Sequence, residues 1–488
     1  MVSRTEIIQI ALNEHDQIRD LPPDVSLFTT RILDHLDSGA HIPHYGHESP
    51  ALSLVTFNCM LQDTGYPTEV YLPPGSSSSP AGPDYNDLRE RWVGWAVELP
   101  GAQEWAFGPR AAVTSAVVPA VKNKFPLPDH RGDHLGALLK IYGDTSYSPS
   151  TLVKVTGVVS SAALPGTDGD SAVTVPTIHV LLPPESVSVP SEVPNDEVED
   201  VRSDLIDYVA SAFSPPDRIL AELLLLHLIS HPVSRPTGTE PLGTLSLNII
   251  TQSDSSALIN LLRTLAPLLV DLPLSIPLLQ SQRFIPHSSD STSLEAGLLQ
   301  LGEGTVLAIQ ESAMGEGGQL NETGLKNLQA LIECARSQTL QFEYPFMDDL
   351  RMPCAIRMLV FSEAKSLVPV DIRVPLSGAL CRCPTTSVSR EKLCKFRSYL
   401  ACQSKCGPQV TIPDSTAESI QEAFVESRQN PERLSAESAA DTLKRRLKLA
   451  RVLAQSHKQL VVTSEVWSEA VLLDDAVDRR FKERYIPV

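Results

Sequence analysis

The residues best placed to do chemistry lie in two stretches of the C-terminal half of the chain, 245–262 and 304–312. The first reads LSLNIITQSDSSALINLL, which indicates an apolar strand, a short polar loop and an apolar helix. The second reads GTVLAIQES, a buried strand that ends in a carboxylate. This is the layout of a nucleotide-hydrolysing α/β core. It predicts a phosphate-binding loop after the first strand and a magnesium-binding acid after the second.

The loop after the first strand lacks the residues that bind phosphate. Such a loop uses glycines so that backbone N–H groups can approach the phosphates, a Lys to offset their charge, and a Ser or Thr hydroxyl for magnesium. Residues 251–257 contain neither Gly nor Lys, and Asp254 places a negative charge where an anion would bind. We interpret the loop as a degenerate phosphate loop, made of Thr251, Gln252, Ser253, Asp254, Ser255 and Ser256.

The second strand ends in Gln310 and Glu311, where an Asp-Glu pair would hold magnesium and polarise water. A neutral amide is a poor substitute for the Asp, since Mg²⁺ prefers carboxylate oxygens. The sequence therefore predicts an ATPase-shaped domain without catalysis and without a bound cofactor, whose function depends on its surfaces. A residual ATPase, with Glu311 as the surviving catalytic residue, is the alternative that keeps the chemistry.

Three groups of residues have spacing that invites a metal site, and each has a simpler explanation. The three histidines of HIPHYGHE (41–48) are separated by a Pro and a Gly, which break the helix that would align them. His227 and His231 are four apart on a predicted helix, but the Glu of the zinc-protease motif is absent. We predict no metal site, because irregular spacing also characterises the cysteine group: Cys381, Cys383, Cys394, Cys402 and Cys406.

Composition limits the class of protein and of partner. The chain has 488 residues, 42% of them hydrophobic, which suffices for two or three packed domains. Its formal charge of −19 argues against holding nucleic acid by neutralising phosphates. The N-terminal segment has no signal-peptide core, and the most apolar run, 219–229, is far shorter than the ~20 residues that span a membrane. We expect no membrane association and reduced cysteines.

The N-terminal part of the chain predicts helices followed by strands. Helical patterns cover 1–48, and 49–185 contains five or six short strands with uneven loops, which predicts a small OB-like β-barrel. Trp92 and Trp95 on this barrel are candidates for stacking nucleic-acid bases, although such aromatic side chains more often pack in a core.

A Pro-punctuated acidic stretch, 186–200, reads as a linker. The α/β domain follows over 201–376, and a C-terminal helical lid covers 377–488. In the lid, the basic run KRRLK (444–448) is a candidate localisation signal or phosphate contact, but on an amphipathic helix we interpret it as a solvated face. The predicted fold class is therefore multidomain α/β.

Segments spread along the whole chain also carry a family resemblance. In the α/β domain they are AELLLLHLISHP, PLGTLSLNII, QRFIPH and AGLLQLGEGTVLAIQES. Elsewhere they are FNCMLQD, VELPGAQEW and KFPLPDHRG in the N-terminal half, and IPDSTAESIQEAFVESRQN with LKLARVLA in the tail. Together, and in this order, they resemble the mini-chromosome maintenance complex-binding protein family.

The same segments resemble, more distantly, the replicative helicase subunits that this family binds, which implies a degenerate AAA+-like domain. In those ATPases a Glu-x-Gly-Ala-Leu segment precedes the magnesium-binding strand, as 295–299 does here. By this comparison Asp441 stands where the lid carries a nucleotide-sensing Arg, and Ser362 lies near a nucleotide-sensing Asn. With the loop and Gln310, four departures on separate catalytic elements imply a non-catalytic paralogue.

The resemblance implies a nuclear protein of DNA replication that binds mini-chromosome maintenance (MCM) helicase subunits and chromatin indirectly. It implies roles in assembling or releasing these subunits on chromatin, in the cell cycle and cell division, and in sister-chromatid cohesion. The alternative from another class is a single-stranded nucleic-acid-binding protein that uses the barrel. The acidic charge predicts that direct DNA binding is weak or absent.

Overall fold

The computed structural model describes residues 2–14, 24–74, 78–79, 82–83, 85–110, 117–167, 172–189, 198–289, 293–315, 318–345, 347–381, 388–429 and 439–485. Within these ranges the chain is a mixed α/β protein with several sheets, which confirms the predicted class at that level. Most of the predicted acidic linker, 190–197, lies outside the described residues. No helix of the described ranges is long and apolar enough to cross a membrane.

Two N-terminal helices, α1 (Arg4–Asn13) and α2 (Val25–Asp37), pack on each other. A capping box between Ser3 and Glu6 satisfies N–H groups at the start of α1. The apolar side of α1, which includes Ile8, is buried against strands of the first sheet. The helix predicted at the N-terminus therefore forms and packs on that sheet.

The first sheet pairs five of its strands in a cycle. The strands of this region are β1 (Leu54–Asp63), β2 (Glu69–Tyr71), β3 (Ser78–Ser79), β4 (Gly82–Pro83), β5 (Arg89–Glu98), β6 (Gly136–Tyr142), β7 (Leu152–Ala163), β8 (Thr174–Val180) and β9 (Glu185–Ser186), and a short helix, α3 (Glu104–Phe107), follows β5. The pairing runs β1–β5–β6–β8–β7, and β7 pairs with β1 again. β6 and β8 are parallel, and the other pairs in the cycle are antiparallel.

Alternation along these strands sends side chains to two faces. One set, including Phe57 and Leu139, packs in a cluster of its own, and the other set, including Trp95 and Leu138, packs towards the second half of the chain. Trp95 is 1% exposed, so it packs in the core, as such aromatic side chains more often do, and is no base-stacking residue. Trp92 packs edge-on against Tyr147, with ring centroids 5.1 Å apart.

The second large sheet is parallel and has five strands in the order β12–β13–β16–β11–β17. The elements from 198 to 380 are α4 (Val198–Ala210), β10 (Phe213–Ser214), α5 (Arg218–Ile229), β11 (Leu247–Ile250), α6 (Ser256–Leu265), β12 (Leu269–Pro273), α7 (Ile276–Ser281), β13 (Val306–Gln310), α8 (Glu322–Ser337), β14 (Thr339–Tyr344), β15 (Met347–Pro353), β16 (Arg357–Ser362), β17 (Ile372–Pro375) and β18 (Ala379–Leu380). β14 and β15 form a hairpin, and β10 pairs with β18. Because β11 lies between β16 and β17, the loop that follows it lies at a switch in strand order, where ligands of such sheets bind.

Four helices follow in the part of the C-terminal region that the structure describes: α9 (Arg390–Cys406), α10 (Asp414–Gln429), α11 (Ala439–Ser456) and α12 (Ser464–Tyr485). The basic run on α11 is solvated only in part, since Lys444 is exposed but two other cations are buried. Arg445 is 8% exposed and pairs with Asp474 at 2.6 Å, and Lys448 is 9% exposed and pairs with Asp371 at 2.6 Å. The solvated-face interpretation is wrong for these two residues, because carboxylates distant in sequence neutralise them inside the fold.

A buried ion pair, whose two residues both lie in the N-terminal half, binds the segment that leads into β13. Asp63, at the end of β1, accepts a hydrogen bond from the Lys124 ammonium at 2.7 Å, and both side chains are at most 3% exposed. The same carboxylate oxygen accepts the Leu294 backbone N–H at 2.9 Å, and Lys124 donates to the Leu294 carbonyl at 3.2 Å. The segment that leads into β13 is therefore fixed to the first sheet by charge and backbone together.

A second contact runs along the edge of the parallel sheet. The Leu269 N–H donates to the Gly101 carbonyl at 2.9 Å, and the Trp105 indole donates to the Arg263 carbonyl at 2.9 Å. Gly101 has φ +74°, and a Cβ there would lie 2.7 Å from the Leu269 oxygen, so this position requires glycine. The residues of the N-terminal half that make these two contacts belong to segments that carry the resemblance: FNCMLQD, VELPGAQEW and KFPLPDHRG.

Candidate functional site

The loop after β11 satisfies its polar groups with its own side chains. The Thr251 N–H donates to the Ser362 carbonyl at 2.8 Å, and the Ser253 N–H donates to the Thr251 hydroxyl at 2.9 Å. Asp254 accepts both the N–H and the hydroxyl of Ser256, at 3.0 and 2.7 Å. These hydrogen bonds hold the pKa of Asp254 below its usual range.

Asp254 therefore places a carboxylate at the N-terminus of α6, the position that a phosphate takes in a nucleotide-binding loop. The partial positive charge of a helix N-terminus favours one anion there, and the chain supplies that anion itself. A triphosphate would meet like charge and would have to displace these hydrogen bonds. The residues present do not fit a nucleotide.

The end of β13 is also occupied by internal contacts. The Gln310 carboxamide oxygen accepts the Ser255 hydroxyl at 3.3 Å, and its NH₂ donates to Asp271 at 2.5 Å. The degenerate loop and the degenerate strand end thus meet at the carboxyl edge of the parallel sheet. Asp271, which the sequence analysis missed, orients the amide, and its only sequence signal is one carboxylate in the apolar run LLVDLP.

Glu311 holds a neighbouring loop. One of its carboxylate oxygens accepts the Ser366 hydroxyl at 2.8 Å and the N–H groups of Leu367 and Val368 at 3.0 and 3.3 Å. Burial raises the pKa of Glu311. Glu311, the one acid of the expected pair that the chain retains, thus fixes the loop after β16.

Ser362 and Asp441, the two residues that the family comparison aligned with nucleotide sensors, lie in different parts of the domain. Ser362, at the end of β16, exchanges hydrogen bonds with buried Asn248 at 2.9 and 3.1 Å, and its carbonyl contacts the degenerate loop. Asp441 lies elsewhere, in a cavity of about 300 Å³ that is also lined by Ser246 and Asp371. Those two residues precede β11 and β17, so Asp441 faces the amino edge of the sheet. The structure brings Ser362 to the loop and does not bring Asp441.

The candidate metal groups do not assemble within the described ranges, where no three His, Cys, Asp or Glu side chains form a cluster that could hold an ion. Cys383 lies outside those ranges. His227 is buried on α5, and its Nδ1–H donates to the Leu245 carbonyl at 2.8 Å. Burial lowers the pKa of His227 to about 4. His227 is therefore a neutral core residue that ties α5 to the segment before β11.

Comparison with known proteins identifies relatives of this chain. A family model described as mini-chromosome maintenance replisome factor matches residues 108–481. The mini-chromosome maintenance complex-binding protein of Danio rerio is 28% identical over 404 residues, which cover 72% of this chain and 62% of the relative. The proteins of the same name from Gallus gallus and Homo sapiens are 30% and 29% identical over 302 residues, which cover 59% of this chain and 46% of each relative.

The chain therefore spans between about half and two thirds of the length of these relatives. The resemblance identified from the sequence motifs is confirmed. Since the family model matches more than half of the 488 residues, the chain belongs to the mini-chromosome maintenance replisome factor family.

Proposed function

We propose that this chain is a non-catalytic binding factor for MCM helicase subunits. It acts in the nucleus, where it assembles or releases these subunits on chromatin during DNA replication and thereby supports sister-chromatid cohesion. Family membership and the name shared by its relatives support MCM subunits as the partner. The chain reaches chromatin through that partner.

The two sheets support a helicase-subunit shape. The cycle β1–β5–β6–β8–β7, with one parallel pair, is the pairing expected of an OB-like barrel. The parallel sheet has its first strand, β11, between its fourth and fifth, with a loop and helix after it, as in a degenerate AAA+-like domain. A protein with both shapes can occupy the surfaces through which helicase subunits meet one another.

One observation supports the proposed absence of catalysis: the carboxylate of Asp254 occupies the helix N-terminus where a phosphate would bind. Gln310 extends this, because its amide is held between Ser255 and Asp271 and offers magnesium no carboxylate. A fold without catalysis acts by binding a partner. Buried apolar area would supply the free energy of that binding, and charged residues at the rim of the interface would select the subunit.

Single-strand binding by the barrel is not favoured. OB folds bind oligonucleotides on their second and third strands, here β5 and β6. Two cations on that face, Arg91 and Lys140, are each 4% exposed and pair with Glu14 and Glu69 at 2.6 to 3.2 Å. Glu14 directly follows α1, so the N-terminal segment neutralises part of the charge of that face.

Affinity purification tests the proposal. The tagged chain is incubated with nuclear extract, washed with either nucleotide-free buffer or ATP and magnesium, and the bound proteins are identified by mass spectrometry. We expect MCM subunits in both eluates, and equal recovery with an Asp254→Asn variant, because the degenerate loop is not a nucleotide switch. Absence of MCM subunits from both eluates contradicts the proposed function.

A further inference from the structure

A cleft of about 1070 Å³ runs between the first sheet and the edge of the parallel sheet. Its apolar lining includes Phe57 from β1, Phe107 from α3, Leu127, and Leu278 from α7, and the last three are half-buried. The lining also includes Asp271, which orients Gln310. The cleft is therefore continuous with the degenerate site while lying outside it.

One wall of the cleft is the edge strand β12. The Leu268 carbonyl accepts the Val306 N–H at 3.0 Å, and the Leu274 N–H donates to the Gln310 carbonyl at 3.0 Å. Even-numbered residues of this strand thus direct their backbone groups to β13. Because backbone groups alternate along a strand, the odd-numbered residues direct theirs outward.

The outward groups are only partly used. The Leu269 N–H is paired with Gly101, whose loop forms a short bridge along the beginning of the strand. Asp271 is the next odd-numbered residue, and no strand of the described part of the chain lies beside it. Its N–H and carbonyl therefore face the cleft as a free strand edge, which is a template for another extended chain.

The rim of the cleft has an acidic excess. Arg110 pairs with Glu98 at 2.7 Å, so its charge is neutralised within the fold. Glu104 and Asp129 are exposed, and their side chains make no hydrogen bond or ion pair with any residue that the structure describes. These two carboxylates are available to a cationic partner.

We propose that this cleft receives an extended segment of a helicase subunit, which adds to the free edge of β12 as a strand. The segment carries apolar residues that pack on the cleft lining and Lys or Arg residues that meet Glu104 and Asp129. This inference rests on the proposed function and names the surface that serves it. Backbone hydrogen bonds provide affinity in strand addition, and the side chains on alternate positions provide specificity.

The decisive experiment compares two substitutions at one position. Asp271→Ala and Asp271→Pro both remove the carboxylate that binds Gln310, but only proline removes the backbone N–H at the free edge. Proline is tolerated on an edge strand when its N–H side faces solvent. With purified MCM subunits as the probe, we expect Asp271→Pro to bind about tenfold more weakly than Asp271→Ala. Equal affinities of two folded variants overturn strand addition.

A double charge-reversal variant tests the inference if Asp271→Pro does not fold. The double variant Glu104→Lys with Asp129→Lys is expected to weaken binding about tenfold at low salt and less at high salt. The matched control, Glu418→Lys with Glu422→Lys, makes the same change of net charge on exposed positions of α10. Equal effects of the two double variants overturn the acidic-rim argument.

The remaining outcomes separate the cleft from the function. Wild-type affinity in all cleft variants overturns the cleft as the binding surface and leaves the proposed function intact. No binding by the wild-type chain refutes the proposed function itself. Self-association of the chain that Asp271→Pro abolishes, measured by sedimentation, shows that a second copy occupies the cleft and overturns the inference. Saturable binding of an oligothymidine lost in the same variant also overturns it.

Discussion

Replacing Lys124 with Met should destabilise the protein far more than breaking an ion pair on its surface. The substitution leaves the Asp63 carboxylate, 3% exposed, with backbone N–H donors from Leu294 and Gly65 and no countercharge. Removing one partner of a buried ion pair costs about 3–5 kcal/mol, because the other charge stays desolvated. The N-terminal pair of Arg4 and Asp37 is the matched comparison.

That surface pair has nearly the same distance, 2.8 Å against 2.7 Å, but its side chains are 44% and 66% exposed. Arg4→Met should therefore cost at most about 1 kcal/mol. The double variant Lys124→Met with Asp63→Asn should recover at least half of the loss, since it leaves no buried charge. Urea unfolding followed by tryptophan fluorescence measures all three variants. A cost for Lys124→Met no larger than that for Arg4→Met refutes the idea that burial makes this ion pair important for stability.

Four further predictions concern the site and the cores. Millimolar ATP with magnesium should not raise the thermal midpoint, and a shift of several degrees would show a working nucleotide site. Because burial raises the pKa of Glu311, its ionised form opposes folding, so Glu311→Gln should be more stable than the wild type at pH 7, with the difference shrinking as pH falls to about 4. The pKa of His227 is lowered to about 4, so folding stability should fall as pH drops from about 6.5 to 4, and His227→Leu, measured by thermal unfolding over that range, should show a flatter pH dependence. Trp95→Ala should cost about 3–5 kcal/mol in urea unfolding, whereas an exposed base-stacking residue would leave stability unchanged.

The sequence was sufficient where short-range pattern determines structure. The apolar runs at 247–250 and 306–310 become buried parallel strands, because continuous apolar runs suit strands covered on both faces. The degenerate loop and Gln310 meet because parallel strands end at the same edge of a sheet. The missing Gly and Lys could be identified without coordinates, since phosphate chemistry depends on residue type.

The sequence was insufficient where partners distant in the chain decide a residue's surroundings. Trp95 is buried because other elements of the fold, which include a segment beginning near Leu268, cover that face of its strand. Arg445 appears solvated on its own helix, but Asp474 of the next helix neutralises it. Asp441 was aligned with a sensor by family likeness, yet the packing of α11 places it at the opposite edge of the sheet from Ser255.

The central claim is that this chain binds MCM helicase subunits without using a nucleotide. Sedimentation velocity of the purified chain mixed with purified MCM subunits, in EDTA and without nucleotide, tests it most directly. The account predicts a faster-sedimenting complex that contains both proteins under these conditions. Independent sedimentation of the two proteins, or a complex that forms only when this chain itself has bound ATP, would contradict it.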